Sequence, residues 1–219
     1  MASQTKENYI KTIYHLHQKN EEISLSDIGE ELGVSKPTVN NMIKKLKEEG
    51  FVDYQKYKPI KITPRGKKFA AEIVRRHRLS EMFLTEIMGF GWEEVHEIAE
   101  ELEHINPEKL FDRMDEMLGY PNVDPHGSPI PDKDGNYTRN NYIPLSKTEI
   151  GKKYQVKSLK TSTSNFLMFL NEKEIQLNTI FHVHHIEEFD GNITVSYDNH
   201  DRVVLSSTAA NKLLVEEIN

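Results

Sequence analysis

Residues 34–69 read VSKPTVNNMIKKLKEEGFVDYQKYKPIKITPRGKKF. Val39, Met42, Ile43 and Leu46 fall at helical spacing, Ser35 stands where a helix cap is needed, Pro37 suits a first turn and Gly50 a stop. From Phe51 the pattern changes to strand-like residues around a turn, with Lys56, Lys58 and Lys61, before Pro64 opens another helix. Immediately upstream, SDIGEEL sets Ile28 and Leu32 four apart behind a cap at Ser24 or Ser26, and Gly33 ends it. Two short helices joined by a glycine-containing turn and followed by a basic hairpin predict a winged helix-turn-helix. Residues 4–19 add an amphipathic first helix through Tyr9, Ile10, Ile13, Tyr14 and Leu16.

Charge is distributed to match. The net charge of −7 conceals a head with 13 Lys and Arg against 9 Asp and Glu in residues 1–68, and a body with 15 against 26 in residues 69–219. A basic head on an acidic body points to a nucleic-acid partner, double-stranded DNA for this motif. Ser35, Pro37, Thr38, Asn40 and Asn41 lie at the start of the second helix of the motif, the end that enters a major groove. Asparagine can pair there with adenine edges. Lys44, Lys45, Lys56 and Lys58 suit phosphates, which position a protein without reading sequence.

Beyond the head, apolar spacing from Pro64 to about Met88 predicts one long helix, and Trp92 begins an acidic one containing HEIAEELEH. In it His96, Glu100, Glu103 and His104 fall at relative positions 0, 4, 7 and 8, on one helical stripe. His77 and Glu81, four apart on the preceding helix, offer a second pair. Imidazole with carboxylate and no thiolate suits manganese, iron(II) or zinc, and the hard carboxylates favour manganese. His96 and Glu97 open like a zinc-peptidase motif, but Glu100 stands where the second histidine belongs, so that geometry fails.

A third helix, PEKLFDRMDEML, completes a bundle with one face for a second copy of the chain. Residues 120–145, with five prolines, form an irregular linker in which Asp124 and His126 are further candidate ligands. Residues 146–219 carry strand-like segments, one helix-like segment and an Asp190-Gly191 hairpin signal, a small β-domain of SH3-like size. Alternation puts His182 and His184 on one strand face and His185 on the other. The expected fold is mainly α with a small β-domain: a DNA-binding domain over 1–63, a helical dimerisation and metal-binding domain over 64–140 and an SH3-like domain over 141–219. The chain has no cysteine, no apolar leader at its start and no run near the roughly 18 apolar residues of a membrane span. These features lead us to expect a cytoplasmic protein without membrane contact. No nucleophile motif or glycine-rich phosphate loop supports a metal-dependent hydrolase, the rival from another class. A winged-helix regulator sensing an organic ligand is the other alternative.

The stretches KENYIKTIY, SKPTVNNMIKKL, RRHRLSEMFL, EEVHEIAEELEH and PHGSPIP resemble the DtxR/MntR family of metal-dependent transcriptional repressors, in its longer form and closest to its manganese-sensing branch. The resemblance covers essentially the whole chain. It implies a homodimer, not an enzyme, that binds operator DNA when loaded with Mn(II), or alternatively Fe(II), and controls metal-uptake genes. It implies a primary site at Asn8, Glu100, Glu103 and His104, and an ancillary site at His77, Glu81 and His96, joined by Asp124 and His126. Glu100 replaces the cysteine of iron-type members. Asn8 replaces the manganese branch's Asp, Lys11 stands where short members have Glu, and Ser162 and Asn165 match the iron branch's Glu and Gln ligands in the β-domain.

Overall fold

The computed structural model describes residues 3–19, 22–105, 107–138 and 140–218. The chain forms two compact units, interleaved in sequence: residues 1–80 with 99–113 and 130–137, and residues 81–98 with 114–129 and 138–219.

The first unit opens with α1 (Gln4–Lys19), α2 (Leu25–Leu32) and α3 (Lys36–Glu48), followed by a wing of two antiparallel strands, β1 (Val52–Asp53) and β2 (Lys61–Ile62). Local chemistry fixes each boundary. Ser24 is the cap of α2: its Oγ accepts the Ser26 and Asp27 N–H groups, and the Asp27 carboxylate accepts the Ser24 N–H at 2.8 Å, a reciprocal capping box. Gly33 then takes φ +65°, the left-handed conformation that frees the chain to turn into α3. Ser35 caps α3 by backbone geometry alone, because its hydroxyl pairs with Thr38 Oγ1 at 2.9 Å.

Ile10, Ile13, Ile28, Val39, Ile43, Leu46 and Ile60 form the fully buried centre of this unit. Each such side chain contributes on the order of 1.5 to 3 kcal/mol on burial. Ile60 also donates its N–H to the Ile23 carbonyl at 2.8 Å, which ties the wing back to the start of α2.

The long helix α4 (Pro64–Glu86) starts with Thr63 Oγ1 accepting the Gly66 N–H at 3.0 Å and with proline in the first turn. The acidic helix α5 (Val95–Leu102) is shorter than the sequence predicts at its start. Residues 92–94 are a turn, and the Glu94 carboxylate accepts the Gly91 N–H at 2.8 Å, so the helix begins at Val95 and not at Trp92. The third bundle helix is α6 (Glu108–Met117).

The second unit contains β3 (Ile143–Pro144), β4 (Lys153–Leu159), α7 (Ser164–Glu172), β5 (Ile180–Ile186), β6 (Ile193–Tyr197), β7 (His200–Leu205), α8 (Ser207–Ala210) and β8 (Leu213–Ile218). Its sheet is antiparallel, in the order β3-β8-β4-β5-β6-β7, and has the SH3-like character that the strand signals predict. Tyr154, Val156, Phe181, Val183, Val195 and Val215 alternate inward with Leu167 and Leu170 of α7. The Asp190-Gly191 turn links β5 to β6, with Gly191 at φ +71°. His182 and His184 lie side by side, ring centres 4.5 Å apart, and His184 reaches Ser196 Oγ at 2.8 Å; His185 is exposed. No third ligand joins the pair among the described residues.

Gly66 is the tightest point between wing and helix. A Cβ there would lie 2.1 Å from the Phe51 carbonyl oxygen and 2.9 Å from an Ile62 side-chain carbon. Gly66→Ala is therefore expected to lower unfolding stability by about 2 to 3 kcal/mol, measured by urea denaturation. A change well below 1 kcal/mol would mean that the junction yields.

Candidate metal centre

In the first unit the candidate ligands gather where α1 meets the end of α5. The Glu103 N–H still bonds to the Ala99 carbonyl at 2.9 Å, but the Ile105 N–H closes a tighter turn on Leu102 at 3.2 Å. Glu103 and His104 thus occupy the turn after α5 rather than a continuous helical stripe. Of the four positions read as one stripe, Glu100, Glu103 and His104 fall in the first unit and His96 in the second.

The Glu103 side chain is completely buried, and both of its oxygens are engaged. Oε1 accepts from the Lys11 ammonium at 2.6 Å, and Oε2 lies 2.8 Å from His77 Nδ1. Lys11 also donates to Glu100 Oε1 at 2.7 Å, which lies 3.9 Å from His77 Nδ1. His104 turns Nδ1 to the buried Glu7 carboxylate, 2.6 Å away, and its Nε2 lies 3.6 Å from Glu103 Oε1. Arg76 approaches the other Glu7 oxygen at 3.8 Å.

Among the described residues, Asn8 Oδ1, the Tyr9 hydroxyl, Arg76 Nε and His104 Nε2 are buried without a hydrogen-bond partner. Leaving such an atom unmatched costs on the order of 1 to 3 kcal/mol. Asn8 Oδ1 and His104 Nε2 belong to the primary ligand set that the resemblance implies. A carboxylate holding Nδ1 while Nε2 stays available is the arrangement that orients histidine toward a divalent ion. Together with the buried carboxylate, the donor set fits a hard or borderline metal.

A second cluster lies in the second unit. Glu81, Asp124 and His126 are all buried, and their ligand atoms lie within 4.8 Å of one another. Glu81 places one oxygen 3.2 Å from His96 Nδ1 and the other 3.8 Å from His126 Nδ1. Asp124 Oδ1 accepts the His126 and Ser128 N–H groups, folding the loop on itself. The loop is pinned because Gly127, at φ +81°, packs where a Cβ would sit 2.2 Å from the Lys157 carbonyl. His126 Nε2 lies 2.9 Å from the Trp92 carbonyl oxygen, which leaves Nδ1 toward Glu81. Burial disfavours the charged imidazole, yet Glu81 and Asp124 outweigh it and raise the His126 pKa above its ordinary value. The expected ancillary residues are thus divided: Glu81, His96, Asp124 and His126 belong to the second unit, and His77 lies against Glu103 in the first.

On the nucleic-acid face, Thr38, Asn41, Lys44 and Lys45 are exposed along α3. Asn40 is half-buried, and its Oδ1 accepts from the Tyr54 hydroxyl at 3.0 Å, so that oxygen is already engaged with the wing. Lys36, Asn40 and Lys44 of α3 share a cleft of about 1120 Å³ with Lys56, Tyr57 and Lys58 of the wing. Tyr57 at the wing tip is 91% exposed, with the Lys56 ammonium 4.8 Å from its ring centre.

Glu7 was missed by sequence reasoning, although it adjoins Asn8 and stands one helical turn before Lys11.

The chain thus joins a winged helix-turn-helix, two carboxylate-imidazole clusters and an SH3-like domain. Comparison with known proteins agrees along the chain. Residues 1–60 match the family described as iron dependent repressor, N-terminal DNA binding domain. Residues 63–132 match its metal binding and dimerisation domain, and residues 143–217 the FeoA domain. A solved manganese-dependent transcriptional repressor in complex with manganese is 34% identical, with a TM-score of 0.86 over 97% of this chain and 100% of that one. The iron-dependent repressor IdeR of Mycobacterium tuberculosis is 33% identical over 127 residues, 58% of this chain and 55% of that protein, so the match spans about half of this relative. The diphtheria toxin repressor of Corynebacterium diphtheriae is 28% identical over 98% of this chain and 97% of its own length. The chain belongs to the DtxR/IdeR family of iron- and manganese-dependent repressors.

The cations around the first cluster also act on His15. Burial, then the charges of Arg78, Lys11, His77 and Lys19, lower its pKa from 6.5 to about 3. Between those values the unfolded chain binds the proton that the folded chain refuses. The His15 contribution to stability is therefore present above pH 6.5 and lost as pH falls toward 3. Urea midpoints of the chelator-treated protein should fall from pH 7 to pH 4, and His15→Gln should flatten that slope. An unchanged slope would assign the acid sensitivity to other groups.

Proposed function

We propose that the chain is a cytoplasmic, homodimeric transcriptional repressor that binds double-stranded operator DNA when loaded with Mn(II), with Fe(II) as the alternative ion, and so controls metal-uptake genes. The observation that carries this reading is the pair of unmatched buried ligand atoms, Asn8 Oδ1 and His104 Nε2, beside the buried Glu103 carboxylate. The expected division of labour is DNA binding by residues 1–63, dimerisation and metal binding by 64–140, and an SH3-like module over 141–219. The relatives are repressors, not enzymes, and no helix among the described residues is long and apolar enough to cross a membrane.

Asn8, Glu100, Glu103 and His104 would hold the primary ion, and Glu81, Asp124, His126 and His96 supply the ancillary ligands. A bound divalent cation supplies two positive charges and fixed bond directions at this point. Everything else is the work of the chain. Asn8 sits on α1, which packs against α2 and α3, whereas Glu103 and His104 sit in the turn after α5. Drawing these side chains together fixes α1, and with it the recognition helix, relative to the segment that follows α5. Glu7 orients the His104 ring, and Arg76 steadies Glu7. Ser35, Pro37, Thr38, Asn40 and Asn41 face the groove, and Lys44, Lys45, Lys56 and Lys58 meet phosphates. With Asn40 Oδ1 held by Tyr54, Asn41 is the asparagine better placed to read a base edge. Manganese is favoured because both clusters offer carboxylates and imidazoles without sulfur.

Fluorescence anisotropy of labelled operator DNA at fixed salt, with chelator and then with each divalent ion, tests this reading. Coupling of 1 to 3 kcal/mol predicts tightening of about 5- to 150-fold with the cognate ion. Glu103→Ala should abolish that gain, and metal-dependent DNA binding by this variant would refute the primary site. Glu7→Gln, which removes the charge behind His104, should weaken manganese binding by about 10- to 100-fold in calorimetric titration. Unchanged affinity would reduce Glu7 to a packing residue.

A further inference from the structure

We infer that Lys11 is a tethered competitor for the metal: its ammonium occupies the same Glu103 oxygen that the ion must take, so activation requires Lys11 to be displaced. The inference rests on the primary site proposed above.

The geometry is specific. Glu103 Oε1 is the oxygen nearest His104 Nε2, at 3.6 Å, which makes these two atoms the natural pair for one ion. The Lys11 ammonium lies 2.6 Å from that oxygen and 2.7 Å from Glu100 Oε1, and so spans two of the four expected ligands. The second Glu103 oxygen cannot readily substitute, because His77 Nδ1 lies 2.8 Å from it. The Lys11 side chain is only 12% exposed, and Glu103 is wholly buried. Neither charge has water to fall back on, so each needs the other until a stronger partner arrives.

Two carboxylate oxygens converge on the Lys11 ammonium, so an ion that takes its place meets the same two oxygens. The ion must, however, break both lysine contacts. When a site is competent for only a fraction of the time, its apparent affinity falls by that fraction. Lys11 would thus raise the metal concentration at which the protein responds, and Glu100, 38% exposed, offers the side from which exchange begins.

Lys11→Met keeps most of the aliphatic stem and removes the ammonium. Calorimetric titration with manganese should show about tenfold tighter binding than the wild type, while in chelator the variant should melt at a lower temperature because Glu103 has lost its counter-ion. In the wild-type protein, amine acylation mapped by mass spectrometry should find Lys11 protected in chelator and reactive when manganese saturates the protein. Equal manganese affinity in Lys11→Met and wild type would overturn the competition, as would a Lys11 that stays protected at saturating manganese. The second measurement decides alone if the variant does not fold. If the wild type binds no manganese and Glu103→Ala changes nothing, the metal site itself is wrong and the competition falls with it, an outcome distinct from binding that is indifferent to Lys11.

Discussion

A carboxylate with no exposure to water is the constraint on which the first unit depends. Burying an ionised Glu103 without partners would be prohibitive, and removing one member of a buried ion pair costs about 3 to 5 kcal/mol. The fold meets this with a cation from α1 and an imidazole from α4, both within hydrogen-bond reach. Glu103 itself comes from the turn after α5. Three segments distant in sequence are therefore held together by one side chain's need for compensation. The same need makes the position responsive, because a group that must be neutralised amplifies any change in what neutralises it.

The apolar cores are, by contrast, closed by aliphatic and aromatic side chains. The head is closed by Ile10, Ile13, Ile43 and Leu46, and the β-domain by Phe181, Val183, Val195 and Val215. The head's cations lie outside its core: Lys44 and Lys45 are exposed on α3, and Lys56 and Lys58 on the wing. Asn40, between core and surface, is joined to the wing by the Tyr54 hydroxyl.

What was legible in the sequence was whatever short-range physics fixes. Gly33 is required by the turn it makes, and the basic wing, the long α4 and the Asp190-Gly191 hairpin follow from pattern alone. Less legible were features decided by competition. Either Ser24 or Ser26 could have capped α2; Asp27 chose Ser24 by returning a bond to its N–H. The acidic run from Trp92 could have been helical throughout, but Glu94 closes a turn on Gly91 instead. Residue types singled out the candidate ligands, of which Glu100, Glu103 and His104 lie in the first unit and Glu81, Asp124 and His126 in the second. They could not reveal that residues 99–113 and 130–137 join the head's compact unit, because that division is set by tertiary contacts among distant segments. Glu7 escaped for a related reason: beside Asn8 on the same helix, it looks like any surface acid until His104 is found against it.

The two clusters differ in the kind of neutralisation they contain. At Glu103 the compensating charge is an ammonium on a flexible stem, which can withdraw intact and remain charged in water. At Glu81 the neighbours are His96 and His126, whose rings are themselves candidate ligands; His126 is held by the Trp92 carbonyl and lies in the pinned 124–128 loop. At the second cluster Glu81 and Asp124 outweigh the burial of the His126 ring and raise its pKa. The first cluster is thus closed by a cation that is separate from its carboxylates, and the second by imidazoles that belong to the cluster itself.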